Sequence, residues 1–513
     1  MKIALIHPFG FDVKYVMPLA MGYLKSNTDK KHDTRLFDFS LDKIPADSAR
    51  FIRILENFSP DIVCTSCWGP TYKESVRILK VAKALNPQTV TCLGGVQITS
   101  YAGHIIKYET GADFLFRGEC ELSFPVFVEE IDSQNGDFSK VRGLMHKDKD
   151  GNIVENMIEQ ARDCSGLFPA PPGNSINSLD DIIIPDYKAM RLQDYLKQGY
   201  KFSTTHNRNA PVWITRGCGY RCEYCAAPQL NGKLIRAHSI KYSLAWIRHL
   251  KEKENIEHIN IIDDNFTFHL KYAKEFCKAL IEENIDVTMG TPNGIRMQRF
   301  DEEMAQLMKK AGWENVVIAP ESGSVSTLER MKKDLKPDIV PPIVKMIKKN
   351  GLKAHGFFIL GYPGDTKEDL EMTLKFMHEC DFDFFFLNNF QALSGTPVFN
   401  KLVERGEIQA DFLPKNYSDG SRAYTPETLK DVNFPKLVLS QYMKMYAKSP
   451  SKLFYALKLF HPHLVVKKIT KNIRNSVQKE EQIQTVSDEE FDRILEKISK
   501  EKYVAEEAKT IYN

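Results

Sequence analysis

An α/β fold is what the sequence predicts: a doubly wound parallel sheet, then a partial barrel of six β/α units, then a helical region. Three observations carry this. Over residues 1–145, short apolar runs of strand length alternate with helical pattern, which implies parallel strands with crossover helices. A second strand–helix series runs over 206–410. The pattern changes between and after them: 146–205 is a polar, turn-rich connector, and 411–513 reads as mainly helical and highly charged.

The bounds are ordinary. At 513 residues, with 42% hydrophobic and 27% charged residues, the chain can bury a large core. Its 70 basic and 67 acidic residues leave a net charge of +3, which gives no ground for nucleic acid as a partner. The opening run Met1–Ile6 is too short for a signal peptide. No stretch of about 18 apolar residues suggests a membrane span. Ten cysteines in such a chain read as reduced thiols in a cytoplasmic setting.

In the first series the strands are expected at Lys2–Ile6, Thr34–Phe39, Asp61–Cys67, Thr89–Leu93 and Asp113–Arg117, with helices near 71–85 and 98–108. Ligands of such sheets sit beyond the carboxyl ends of the strands. Small or turn-forming residues fall there: Pro8 and Gly10, Ser66 to Pro70, Gly94-Gly95, and Gly118-Glu119. The connector carries a hairpin around Asp150-Gly-Asn152 and a linker at Phe168–Asn174.

The second series places strands at 212–215, 257–262, 286–290, 315–319, 354–359 and 383–388. Active sites of barrels lie at the carboxyl ends of the strands, and the informative residues fall there. After the first comes Cys218-Gly-Tyr-Arg-Cys222-Glu-Tyr-Cys225. Sulfur-only sites favour zinc or iron–sulfur clusters. Structural zinc takes four ligands, and Cys277 and His238 fall in or beside helical segments. The triplet therefore suits a four-iron cluster with one open iron. Buried unliganded cysteines, or a zinc loop completed elsewhere, are the alternatives. Later strand ends carry Ile262-Asp-Asp-Asn-Phe266, Gly290–Arg296, Ala319-Pro-Glu-Ser-Gly323, Leu360–Gly364 and Leu393–Pro397. Singly, each has a plain reading: Asp263 or Asp264 as a helix cap, Arg296 as a surface charge, Glu321 as a structural carboxylate.

The C-x3-C-x2-C spacing, with Tyr224 just before the third cysteine, resembles the radical S-adenosylmethionine (SAM) superfamily. The order Pro18–Tyr23, Asp61–Ser66, Leu93–Val96 and Phe116–Glu121 resembles the cobalamin-binding, Rossmann-like domain that precedes many radical SAM cores. The resemblance implies a [4Fe-4S] cluster on Cys218, Cys222 and Cys225. It implies SAM contacts from Tyr224, Asp264, Arg296 and Glu321, and cobalamin near Ser66, Gly94 and Gly95. One departure concerns the cobalt ligand. His7-Pro-Phe-Gly10 lacks the aspartate of the D-x-H-x-x-G motif, since position 5 is Leu. A metal-binding His without its orienting carboxylate is poorly held, so His7 reads as a loop residue rather than a lower ligand.

The implied activity is methyl transfer to an unactivated carbon or phosphorus centre of a small-molecule or peptide substrate, with a flavodoxin- or ferredoxin-like electron donor. Ring closure or rearrangement without methylation is an alternative within the class. The methylthiolating tRNA enzymes expect further cluster cysteines in the first domain, and Cys64 and Cys67 lie instead in or at the end of a strand. A non-enzymatic cobalamin or metal sensor is the reading from another class. The C-terminal segments Leu429–Ala447 and Lys452–Lys468 read as amphipathic helices. Asp488–Lys509 reads as a solvated one, and Lys467, Lys468, Lys471 and Arg474 as a basic face.

Overall fold

Alternation at period two explains the first sheet. In β1 (Lys2–His7), Ile3 and Leu5 enter one core cluster while Ala4 and Ile6 enter the other, so the strand is apolar on both faces and needs helices on each. The computed structural model describes residues 1–108, 110–156, 177–202, 205–410, 424–459 and 485–511. These divide into two units: one built from 1–165, 182–198 and 479–513, the other from 166–181 and 199–478.

The first unit holds a seven-stranded sheet. With β1 come β2 (Asp33–Asp38), β3 (Ile62–Ser66), β4 (Val90–Gly94), β5 (Phe114–Phe116), β6 (Leu144–Lys147) and β7 (Ile153–Glu155), in the order β2-β1-β3-β4-β5-β6-β7. The first five in that order run parallel, and β6 and β7 form the antiparallel hairpin expected at the Asp-Gly-Asn turn. The order reverses between β1 and β3, and that switch point is where doubly wound sheets open a ligand crevice. Helices Leu19–Asn27 and Ser123–Asp132 pack on one face; Ala49–Phe58, Tyr72–Leu85 and Val96–Ile105 pack on the other.

Three expectations change here. His7 is the last residue of β1, with its ring buried and stacked on Phe11 at 4.4 Å, rather than part of a loop. Residues 182–198 pack on the first unit: Tyr195 Oη donates to Asp38 at 2.5 Å, and Arg191 pairs with Asp42 at 2.6 Å. The charged helix Asp488–Ile511 is not wholly solvated. Phe491 is buried, and with Val486, Leu495 and Ile498 it joins the core beneath Tyr72–Leu85. Spacing of i, i+4 and i+7 puts those side chains on one stripe.

The second unit holds six parallel strands in chain order. They are β9 (Asn209–Val212), β12 (His258–Ile261), β13 (Thr288–Gly290), β14 (Asn315–Glu321), β15 (Lys353–Leu360) and β16 (Phe384–Asn389). Parallel bridges Met289↔Trp313 and Ile295↔Ile318 carry the series from β13 to β14. A small accessory sheet pairs β10 (Thr215–Arg216) with β11 (Arg236–Ala237), and β11 with β8 (Asn177–Ser178). The first barrel strand thus ends at Val212, three residues earlier than expected. The buried Asp263 carboxylate takes the N–H groups of Ile214 and Thr215, each at 2.8 Å, and the Thr215 hydroxyl at 2.7 Å. Those donors leave the barrel ladder for a side chain.

Of the C-terminal helices, Phe434–Lys448 and Pro450–Leu459 are described, and the basic residues 467–474 lie outside the described residues. Among the described residues no helix is long and apolar enough to cross a membrane, and none of the nine cysteines there is in a disulfide.

Candidate active site

The cysteine loop is built by contacts that hold its backbone from several sides. Gly217 sits at φ 97°, and a Cβ there would lie 2.1 Å from the Leu234 carbonyl oxygen, so only glycine lets the chain turn into Cys218. The Cys218 N–H donates to Gly232 O at 3.0 Å, and the Glu223 N–H to Met331 O at 3.0 Å. Glu223, buried, takes Lys332 and Lys401 at 2.7 Å each. Burial opposes its charge, yet the two ammonium groups hold the carboxyl below its ordinary range.

Burial, with smaller contributions from nearby negative charge, pushes the Cys218 thiol up to about 11 and the Cys225 thiol to about 12. Thiolates there need a cationic centre. Arg296 supplies one charge: its Nη1 lies 3.6 Å from Cys222 Sγ, and its guanidinium lies 3.5 Å from the Tyr220 ring centroid. Its Nη2 donates to the Lys333 carbonyl. Arg296 is therefore no free surface charge.

Tyr224 and Glu321 meet directly. The Tyr224 hydroxyl donates to Glu321 Oε1 at 2.8 Å, while Lys333 Nζ lies 2.9 Å from that oxygen and 3.0 Å from the hydroxyl. Both Glu321 and Lys333 are buried. A register shift between Ile318 and Glu321 interrupts β14, and Glu321 holds φ 66°. A bulge of this kind re-aims a side chain, and a non-glycine residue at positive φ marks a place the surroundings over-determine. Asp264 accepts from Asn231 Nδ2 at 2.8 Å. Neither Asp263 nor Asp264 caps a helix: the one orders the lead-in to the cysteines, the other reaches the short helix after them. Burial pushes Asp263 up to about 8 against its three donors.

The inner wall of the barrel is apolar on its later strands. Phe358 and Phe385 turn outward to Phe376 and His378 of the helix Lys367–Glu379, so Phe357, Ile359 and Phe386 face inward, half-exposed, with the Phe357 and Phe386 rings 4.8 Å apart. Sequence reasoning passed over this wall and over Lys333. The alternation along β15 and β16 could have revealed the wall.

In the first unit the residues expected near cobalamin converge. Ser66 and Gly94 are register partners at the ends of β3 and β4. Gly95 follows at φ 99°, where a Cβ would meet Cys67 N and O at 2.8 Å. Beside them at the switch point, His7 Nε2 and Thr65 Oγ1 are buried with no hydrogen-bond partner among the described residues. Burial lowers His7 to about 3, so its ring is neutral. Buried polar atoms left without partners mark a place for a polar ligand.

This architecture, a doubly wound sheet followed by a cysteine-bearing β/α series, defines a two-part class. Residues 14–128 match the B12 binding domain and residues 212–377 the radical SAM superfamily, so the chain carries a B12-binding domain followed by a radical SAM domain. It is 28% identical over 368 residues to an uncharacterised methyltransferase of Pyrococcus horikoshii, covering 72% of this chain and 74% of that one. It is 25% identical to the anaerobic magnesium-protoporphyrin IX monomethyl ester cyclase of Rubrivivax gelatinosus, covering 87% and 77%. Its fold resembles that of the radical SAM methyltransferase TsrM from Kitasatospora setae, solved with cobalamin and a [4Fe-4S] cluster bound, with a TM-score of 0.65 at 15% identity over 79% of this chain and 75% of that one.

Proposed function

We propose that the protein is a cobalamin-dependent radical SAM methyltransferase acting on an unactivated carbon or phosphorus centre. The observation that carries this is the joint presence, in one chain, of a B12-binding domain and a radical SAM domain whose cysteine loop keeps three soft donors together. In this reading Cys218, Cys222 and Cys225 hold the [4Fe-4S] cluster. When bound, the cluster with SAM would supply a radical able to take hydrogen from an unactivated C–H bond, and the corrinoid would supply the methyl group.

The chain's own residues position and shield. Arg296 places a fixed positive charge beside Cys222, 3.6 Å from its sulfur. Tyr224, Glu321 and Lys333 lock the third cysteine's neighbour to the end of β14, so the loop cannot drift from the strand ends. Glu321 and Asp264 stand at the strand ends as carboxylates suited to SAM ammonium or hydroxyl groups. Phe357, Ile359 and Phe386 line the interior without O–H or S–H groups that would quench a radical, and they exclude water. Ser66, Gly94 and Gly95 leave the sheet edge bare enough for a corrinoid to approach, and the orphaned atoms of His7 and Thr65 fit such a ligand's polar rim. The substrate is a small molecule or peptide, the electron donor an external flavodoxin- or ferredoxin-like protein, and the compartment a reducing cytoplasm, as ten cysteines suggest.

The test is anaerobic purification with added hydroxocobalamin, cluster reconstitution, and assay of 5′-deoxyadenosine formation with SAM and a strong reductant. The expected result is SAM cleavage together with retained corrinoid. Cys222→Ala should abolish cleavage and leave the corrinoid bound. A protein that binds zinc, no iron, and leaves SAM intact would overturn the reading. The relationship to a cyclase supports a second one, ring closure without methylation, and product mass separates them: methylation adds one methylene.

A further inference from the structure

At the other end of the barrel, away from the cysteines, a second cluster gathers. His206 stands just before β9, His258 opens β12, Thr288 opens β13, and Glu314 directly precedes β14. These are the amino ends of four neighbouring strands, the face that carries stability rather than chemistry in barrels. One nitrogen from each histidine and one Glu314 oxygen lie within 4.8 Å of one another. His206 Nε2 is 3.1 Å from Glu314 Oε2, and the two imidazoles stack at 4.9 Å with an interplanar angle of 9°.

The protonation of His258 follows from its surroundings. Asn209 Nδ2 faces the carbonyls of Tyr200 and His206, at 3.0 and 3.2 Å, and carbonyls only accept. Asn209 Oδ1 must then face away, where it accepts from Asn260 Nδ2 at 3.2 Å. That leaves Asn260 Oδ1 toward His258 Nε2, also at 3.2 Å, so Nε2 carries the proton. The free lone pair sits on Nδ1, 2.7 Å from Thr288 Oγ1. An acceptor on the far ring N–H that fixes the tautomer is what metal-ligating histidines use, and here the Asn260 amide oxygen takes that place. Thr288 Oγ1 also lies 3.2 Å from His206 Nε2 and 3.2 Å from Glu257 O. His206 Nε2 faces the Glu314 carboxylate, which only accepts, so it carries a proton that a metal would displace, and the one Thr288 hydroxyl proton is left between His258 Nδ1 and Glu257 O.

We propose that His206, His258 and Glu314 form a binding site for a divalent transition metal of the zinc type, with Thr288 Oγ1 or water in the fourth position. Two imidazoles and a carboxylate are a common zinc donor set. Tetrahedral zinc at bonds of about 2.0–2.2 Å sets its ligand atoms about 3.3 Å apart. The His206–Glu314 spacing already meets this, and closure of the remaining gap is a side-chain adjustment. Glu314 is 42% exposed and His206 24%, which gives the ion an entry path. The metal would clip together the amino ends of strands whose opposite ends carry the proposed cluster.

The experiment uses the full chain with its iron–sulfur cluster reconstituted, equilibrated with buffered zinc, desalted, and analysed for zinc, iron and sulfide. The expected result is one zinc beyond the iron complement. His206→Ala and Glu314→Gln should each weaken zinc binding by more than about tenfold while iron and sulfide stay unchanged. Zinc-edge absorption of the parent protein is the readout that does not depend on how the variants fold: a shell of nitrogen and oxygen supports the site. A parent without zinc, a sulfur-containing shell, or zinc retained in both variants overturns it.

Discussion

Lys333→Met should destabilise the second unit by about 3–5 kcal/mol, because it leaves a buried carboxylate without its counter-ion. Lys333 Nζ lies 2.9 Å from Glu321 Oε1, and both side chains are 8% exposed. At that distance, with an effective dielectric near 20, the attraction is about 6 kcal/mol, much of it offset by desolvation of the two charges. Removing one partner forfeits the attraction and keeps the other's desolvation cost. Among the described residues only the Tyr224 hydroxyl still faces that oxygen. Adding Glu321→Gln removes the stranded charge while the amide oxygen still accepts from Tyr224, so the double variant should recover at least about 2 kcal/mol. Urea unfolding followed by tryptophan fluorescence suits the measurement, since Trp213, Trp246 and Trp313 all lie in the second unit. A cost under about 1 kcal/mol for Lys333→Met, or a double variant no more stable than it, would refute the argument.

Asp263→Asn should cost about 1–3 kcal/mol and lower the iron content, because an amide NH2 would face an N–H donor of Ile214 or Thr215; unchanged iron and stability would count against it. Glu74 tests the first unit by pH. Burial raises it from 4.5 to about 7, opposed by the Ala46 N–H at 2.6 Å. A carboxyl that holds its proton more tightly when folded stabilises the fold fully below pH 4.5, and loses that contribution as pH rises to about 7. The loss is at most roughly 3 kcal/mol, and Glu74→Gln should flatten it; equal slopes for parent and variant in that window would sink the assignment. Phe491→Ala should cost about 3–5 kcal/mol in the first unit, measured by denaturation, and near-neutrality would mean that the C-terminal helix does not complete that core.

Local chemistry was legible in the sequence, and long-range pairing was not. Cys218, Cys222 and Cys225 declare themselves by spacing. The strand ends at Ser66 and Gly94 follow from period-two runs bounded by glycine. Tyr224, Arg296, Asp264 and Glu321 are singled out by resemblance and by their places after strands, yet their partners are not. Lys333 reaches Glu321 from a turn, Lys401 reaches Glu223 across 178 positions, and Asn231 reaches Asp264 across 33. Such contacts depend on how loops are laid beside one another, which no local pattern encodes. The helix at 488–511 is a different kind of miss. Its apolar stripe was present at Phe491, Leu495 and Ile498, but the surrounding charge outweighed it.

That helix bears on how the protein is made. With residues 1–165, 182–198 and 479–513 in one unit and 166–181 and 199–478 in the other, most of the second unit lies in sequence between segments of the first. Translation runs from the N-terminus, and a unit ordinarily condenses as its last element emerges. Here the sheet of the first unit is synthesised early but lacks the apolar stripe around Phe491 until the segment 199–478 has been made. Its hydrophobic surface under Tyr72–Leu85 stays uncovered throughout synthesis of the second unit. The cysteine-bearing unit is then the one that can finish first, and truncation near the C-terminus would damage the part of the protein encoded at its beginning.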